Sequence, residues 1–167
     1  YKPVKGLWLT GGVQKVPVSR DFLMSASQLA SGDRAVGSVR MVPGRDLGIT
    51  ADYGTGDADG DGFKARIRAG MYNGNGDLFG DDNPGKLVAT RVDLVFGPGN
   101  VYRTWGRVKN ATVGVAGDYW SNNDLGAKET GFGADAIFRI EGLAVLSEFT
   151  MATICLLYTS DAADDRL

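Results

Sequence analysis

Residues 63–72, from Phe63 to Tyr72, read FKARIRAGMY: Phe63, Ala65, Ile67, Ala69 and Met71 alternate with Lys64, Arg66, Arg68, Gly70 and Tyr72. Successive side chains of a β-strand point to opposite faces, so this segment as a strand has one wholly apolar face and one carrying three cations. A helix would scatter both sets. About ten residues is also what a tilted strand needs to cross the hydrocarbon of a bilayer. The pattern predicts the wall of a membrane barrel, with lipid outside and a positively charged, watery lumen inside.

Working outward, the same alternation recurs. Leu7 to Gln14 predicts a first strand with Leu7, Leu9 and Val13 on one face and Trp8, Thr10 and Gln14 on the other. Pro17 removes a ladder donor and marks its end. From Ser19 the period becomes helical: Phe22, Leu23, Ala26, Leu29 and Ala30, with Ser19 as N-cap and Gly32 as stop, predict one short helix in a long connection. That helix is expected to pack over a barrel mouth or sheet edge, or to narrow a pore.

Leu47 to Tyr53 is the second strand, with Leu47, Ile49, Ala51 and Tyr53 opposed to Gly48, Thr50 and Asp52. Lys86 to Phe96 follows the basic strand, placing Val88, Thr90, Val92, Leu94 and Phe96 opposite Arg91 and Asp93, although Leu87, Ala89 and Val95 dilute the charged side. Ala111 to Trp120, Phe132 to Ile140 and Leu143 to Met151 complete seven strands, with Asp118, Asp135, Arg139 and Glu148 on polar sides and a tight Glu141-Gly142 turn joining the last two. The expected fold is all-β, an antiparallel meander forming about seven strands of a larger outer-membrane barrel. Bacterial single-chain barrels use even strand numbers, so the chain is expected to be part of a longer one. Tyr53, Phe63, Phe96, Tyr119, Trp120, Phe132 and Phe138 fall near strand ends, where an interfacial aromatic girdle would place them.

The C-terminal stretch breaks this style. Cys155 to Asp164, CLLYTSDAAD, back-translates in one frame into a transposase adapter used in sequencing-library preparation. Residues 155–167 are therefore expected to be read-through, with the native domain over 1–154. Tyr1 in place of an initiator Met predicts that the front is missing too. Without the tail, 17 basic residues balance 17 acidic ones, and neither Cys nor His remains. That excludes thiolate and imidazole chemistry and zinc sites built from those ligands. No cofactor, metal or nucleic-acid partner is expected, and no enzymatic activity.

On the basic strand alternate residues stand about 7 Å apart. Like charges at that distance repel by about 0.6 kcal/mol in water and about 2.4 kcal/mol at an effective dielectric of 20. The triplet needs water, carboxylates or bound anions. Asp52 on the preceding strand and Asp93 on the following one are the natural counter-charges, and a ladder keeping some positive charge would still favour anion entry. Asp57 to Gly62 imitates the start of a calcium loop, but Arg68 holds the twelfth position where a bidentate Glu is required, so a solvated hairpin loop is expected. Asp77, Asp81, Asp82 and Asn83 read the same way, and Tyr72 to Gly76 is a turn.

Four landmarks, Val16-Pro17-Val18-Ser19-Arg20, Asp33-Arg34, Pro43-Gly44-Arg45-Asp46-Leu47-Gly48 and Ala69-Gly70-Met71-Tyr72-Asn73-Gly74, together resemble, in order, the phosphate-selective porin O and P family. The resemblance spans roughly Leu7 to Gly76. It implies a sixteen-stranded barrel of the Gram-negative outer membrane, often trimeric, passing phosphate, polyphosphate or other small solutes. No motif anchors the family's binding lysines here. Lys15, Arg20, Arg34, Arg45, Lys64, Arg66, Arg68 and Arg91 are pore-lining candidates by position, with Asp52, Asp93, Asp135, Arg139 and Glu148 as charges in the wall. The alternative is a soluble extracellular β-sandwich for binding or adhesion, which would bury its apolar faces against each other. A barrel lipase ranks third, for want of a histidine.

Overall fold

Seven strands form one sheet in the order β1 to β7, each antiparallel to the next. The computed structural model describes residues 1, 5–29, 32–55, 60–74, 85–104, 108–124 and 127–156. The strands are β1 (Leu7–Lys15), β2 (Arg45–Gly54), β3 (Phe63–Tyr72), β4 (Leu87–Phe96), β5 (Thr112–Asp124), β6 (Ala127–Ile140) and β7 (Leu143–Leu156). No pairing joins β1 to β7 among the described residues, so the sheet is open.

Alternation sets the register. Ala51 pairs with Ala69, Ile67 with Val92, Val115 with Ala136 and Ala134 with Phe149, which gathers the apolar positions of every strand on one face. That face is uncovered: Phe63, Ile67 and Met71 are 55, 50 and 58% exposed. The charged face is the buried one, with Arg91 at 0% and Asp93 at 2%. A water-soluble domain has this arrangement the other way round.

The covering of the charged face comes from the β1–β2 connection and the β4–β5 loop. Val16 and Val18 pack with Tyr72, Leu87, Ala89 and Trp120 in one buried cluster, and Val101 packs with Val95 and Ile137 in another. This explains the apolar residues on the charged side of β4: they seat the connection. Two flat rings complete the fit. Trp120 lies over Gly131, and Tyr72 over Gly48 and Gly70, where an added Cβ would run into the aromatic ring. The Tyr72 hydroxyl is 2.5 Å from Thr50 Oγ1.

The connection differs from its expected form. In place of one helix it holds α1 (Arg20–Leu23), a 3₁₀ turn (Ala26–Gln28) and α2 (Val36–Arg40), the last with no counterpart in the sequence reading. Ser19 does cap α1, its Oγ accepting from Phe22 N at 3.1 Å. The helix stops because Lys15 Nζ donates to the carbonyls of Phe22, Leu23 and Met24, acceptors that a further turn would need, and Met24 turns extended.

β3 has its expected bounds; β5, β6 and β7 run several residues beyond theirs. β7 pairs through Cys155 and Leu156 with Lys128 and Ala127, while 157–167 lie outside the described residues. So do Asp57 and Asp59 of the calcium-like loop, the Asp77 to Asn83 cluster, Asn75, Gly76 and Ala30. The Glu141-Gly142 turn is present, with φ of 47° and 104°, as a twist-matched two-residue hairpin requires. Of the expected girdle, Tyr53, Phe63, Phe96, Tyr119, Phe132 and Phe138 stand on the uncovered face, with the Phe63 and Phe96 rings 4.8 Å apart. Trp120 does not: it is fully buried on the opposite face, because it follows the outward Tyr119 by one residue.

Candidate functional site

Charges of the covered face fall into two groups. The first is a buried network of three arginines and three aspartates. Arg91 reaches Asp118 at 2.6 Å, Asp135 at 2.5 Å and Asp93 at 3.1 Å. Arg68 pairs with Asp93 at 2.7 Å. Arg20, carried by α1 from the far end of β1, pairs with Asp135 and donates to Val101 O at 3.2 Å. Positive and negative charges balance within the group, as burial demands.

Tyr102, from the β4–β5 loop, closes this network. Its hydroxyl donates to Asp93 Oδ1 at 2.6 Å and accepts from Arg68, while Arg20 and Arg68 lie 5.2 and 5.0 Å from its ring centroid. Burial holds the Tyr102 hydroxyl above its ordinary pKa, so it remains a donor. Flanking contacts tie the connection to the sheet further along: Ser19 N donates to Asp118 and Asp21 N to Glu148, each at 3.0 Å. The connection thus crosses β4 to β7 on the charged side, pinned by backbone and side-chain bonds.

The second group lines a cavity of about 1130 Å³ along β1 to β4, with Lys5, Trp8, Asp52, Lys64, Arg66 and Tyr102 in its wall. Arg66 pairs with Asp52, and its side chain stays 44% exposed. Lys64 donates to Gly60 O at 2.7 Å and Gly99 O at 3.2 Å. Its cations, Lys5, Lys64 and Arg66, face two carboxylates, Asp52 and Asp93, and Asp93 is already shared by Arg68 and Arg91. Cations outnumber carboxylates in this wall, which gives it a positive local potential.

The candidate residues therefore separate. Asp52 and Asp93 do pair with the basic strand, diagonally: Arg66 with Asp52 and Arg68 with Asp93. Arg20, Arg68 and Arg91 are buried and offset by carboxylates, with Asp135 between Arg20 and Arg91. Lys64 and Arg66 reach the cavity. Arg139 is buried and donates to Asn100 O at 3.0 Å; Glu148 receives the connection. Lys15, Arg34 and Arg45 gather at the other end of the sheet, next to α1. Sequence reasoning did not count Lys5, Trp8 and Tyr102 among the site residues: Lys5 and Tyr102 lie outside the alternating segments, and Trp8, though placed on the polar face, carries no charge. Comparison with protein-family models, curated proteins and solved structures returned no match for this chain.

Proposed function

We propose that this chain forms part of the wall of a β-barrel porin in a bacterial outer membrane, through which small anions such as phosphate or polyphosphate diffuse passively. One observation carries the reading: the uncovered face is uncharged from Val13 and Leu47 at one end to Phe63, Phe96 and Phe138 at the other, while the ionic residues lie on the opposite face. On β6 this stretch runs from Thr130 to Ile140. It measures about 33 Å along the strand, or about 25 Å high once tilted by about 40°, matching the apolar band of outer-membrane barrels.

In this reading acyl chains cover the apolar face and water fills the side bearing Lys5, Lys64 and Arg66. The buried arginines hold the connection against the wall and narrow the passage, leaving the cavity beside β1 to β4 for the solute. Residual positive charge there lowers the cost of moving an anion through a confined polar space. Trimeric assembly and phosphate preference belong to the family resemblance. A soluble sandwich ranks second: it needs an apolar layer over Phe63, Ile67 and Met71, and none of the described residues supplies one.

The test is electrical. In planar bilayers under a salt gradient, the reversal potential of a complete barrel carrying this wall should indicate anion preference, and Lys64→Gln with Arg66→Gln should move it toward cations. Unchanged reversal potentials in that double variant would refute the assignment of these residues to the passage.

A further inference from the structure

Lys15, Arg34 and Arg45 converge on a second cavity of about 870 Å³, between the end of the β1–β2 pair and α1, which Phe22, Ser25 and Gly44 also line. Lys15 and Arg45 are register partners, the next outward positions after Val13 and Leu47. Lys15 Nζ and Arg34 Nη2 share the carbonyl oxygen of Met24, at 2.9 and 3.0 Å, so two cationic groups are held within a few ångströms of each other. Both also lie over the Phe22 ring, at 5.4 and 5.5 Å from its centroid. Among the described residues no carboxylate forms an ion pair with any of the three. The nearby Asp21 and Asp33 carboxylates accept instead from the backbone N–H groups of Ala35 and Arg34.

Among the described residues these three cations outnumber the nearby carboxylates and pair with none of them, which suits a multivalent anion, and backbone carbonyls fix two of them in place beforehand. Lys15 spends its three donors on carbonyls and contributes charge; Arg45 is exposed, its side chain bonds to no described residue, and it offers its whole guanidinium fork. From this placement, at the edge of the uncharged outward face, we infer that the cleft holds the phosphate of an anionic lipid headgroup, with that lipid's chains lying along Val13 and Leu47. The location decides between a lipid and a free anion, because a cation cluster level with the rim of an apolar band meets headgroups. This rests on the outward face being lipid-covered.

The test uses the full chain in phosphocholine micelles, titrated separately with dihexanoyl phosphatidic acid, dihexanoyl phosphatidylcholine and inorganic phosphate. Phosphatidic acid should bind at least about tenfold more tightly than either of the others, and Arg45→Gln should abolish most of that preference, as loss of a charge-assisted fork implies. Arg34→Gln should act in the same direction; if it unfolds the connection, the exposed Arg45 variant still decides. Equal binding of inorganic phosphate would make this a soluble-anion site, and an unchanged preference in Arg45→Gln would move the phosphate elsewhere. Either result overturns the inference. Flotation with neutral phosphatidylcholine vesicles separates the two proposals: failure to float refutes the lipid-covered wall, whereas flotation without phosphatidic acid preference refutes only the headgroup site.

Discussion

Arg91 makes ion contacts with Asp93, Asp118 and Asp135 and is fully buried, so its removal should expose how the charged face is balanced. Arg91→Met leaves three buried carboxylates against two guanidinium groups, and breaking a buried pair from one side costs about 3–5 kcal/mol. Asp135→Asn strands Arg20 and Arg91 to a similar extent, about 3–5 kcal/mol. The double variant restores numerical parity, leaving Arg20 and Arg68 with Asp93 and leaving Asp118 held by Ser19 N. It should be no less stable than either single variant, giving a coupling energy of at least about 3 kcal/mol in magnitude, the upper end for residues in contact. Urea unfolding in micelles, followed by the fluorescence of the buried Trp120 and by β-sheet circular dichroism, supplies all four corners of the cycle. If each single change costs under about 1 kcal/mol and the two add, water reaches these side chains, and the network is not a closed lock.

Three further outcomes follow from the geometry. Ile67→Arg puts a charge mid-band on the uncovered face and should destabilise the chain in lipid by about 2–4 kcal/mol, measured by unfolding in vesicles; a change under about 0.5 kcal/mol would place Ile67 away from hydrocarbon. Gly131→Ala drives a methyl group into the fully buried Trp120 ring and should cost about 1–3 kcal/mol, whereas Gly117→Ala, whose Cβ meets only Gly133 O at 3.8 Å, should stay within about 0.5 kcal/mol. Glu141→Asn, at a φ of 47° that Asn tolerates better, should raise stability by about 0.5–1 kcal/mol in the same urea titration.

The strands were legible because one physical signal, alternation, fixes both their existence and their facing. β3 keeps its expected bounds for that reason, and the pairings of its cations with Asp52 and Asp93 follow from the strands on either side. β6 outran the reading because Lys128 to Gly131 continue the ladder without continuing the apolar signal, and β7 because its pairing carries on opposite them through Ala152 to Leu156. The lock itself was not legible. Arg20 meets Asp135 across 115 positions, and nothing local in Ser19 to Leu23 names that partner. The early end of α1 likewise depends on Lys15, whose ammonium takes the carbonyls a longer helix would have used. Trp120 was a readable error: Tyr119 and Trp120 are consecutive in a strand and cannot both face outward.

The facing of the sheet is the claim beneath all of this, and spin labels test it most directly. With Cys155→Ser as background, single cysteines at Ile67, Val92 and Phe149 on one face and at Arg66 on the other would carry labels on the chain in lipid bilayers. Labels at Ile67, Val92 and Phe149 should collide readily with dissolved oxygen and weakly with a water-soluble nickel chelate, and the label at Arg66 should do the reverse. Nickel access at Ile67, Val92 and Phe149 equal to that at Arg66 would contradict the account.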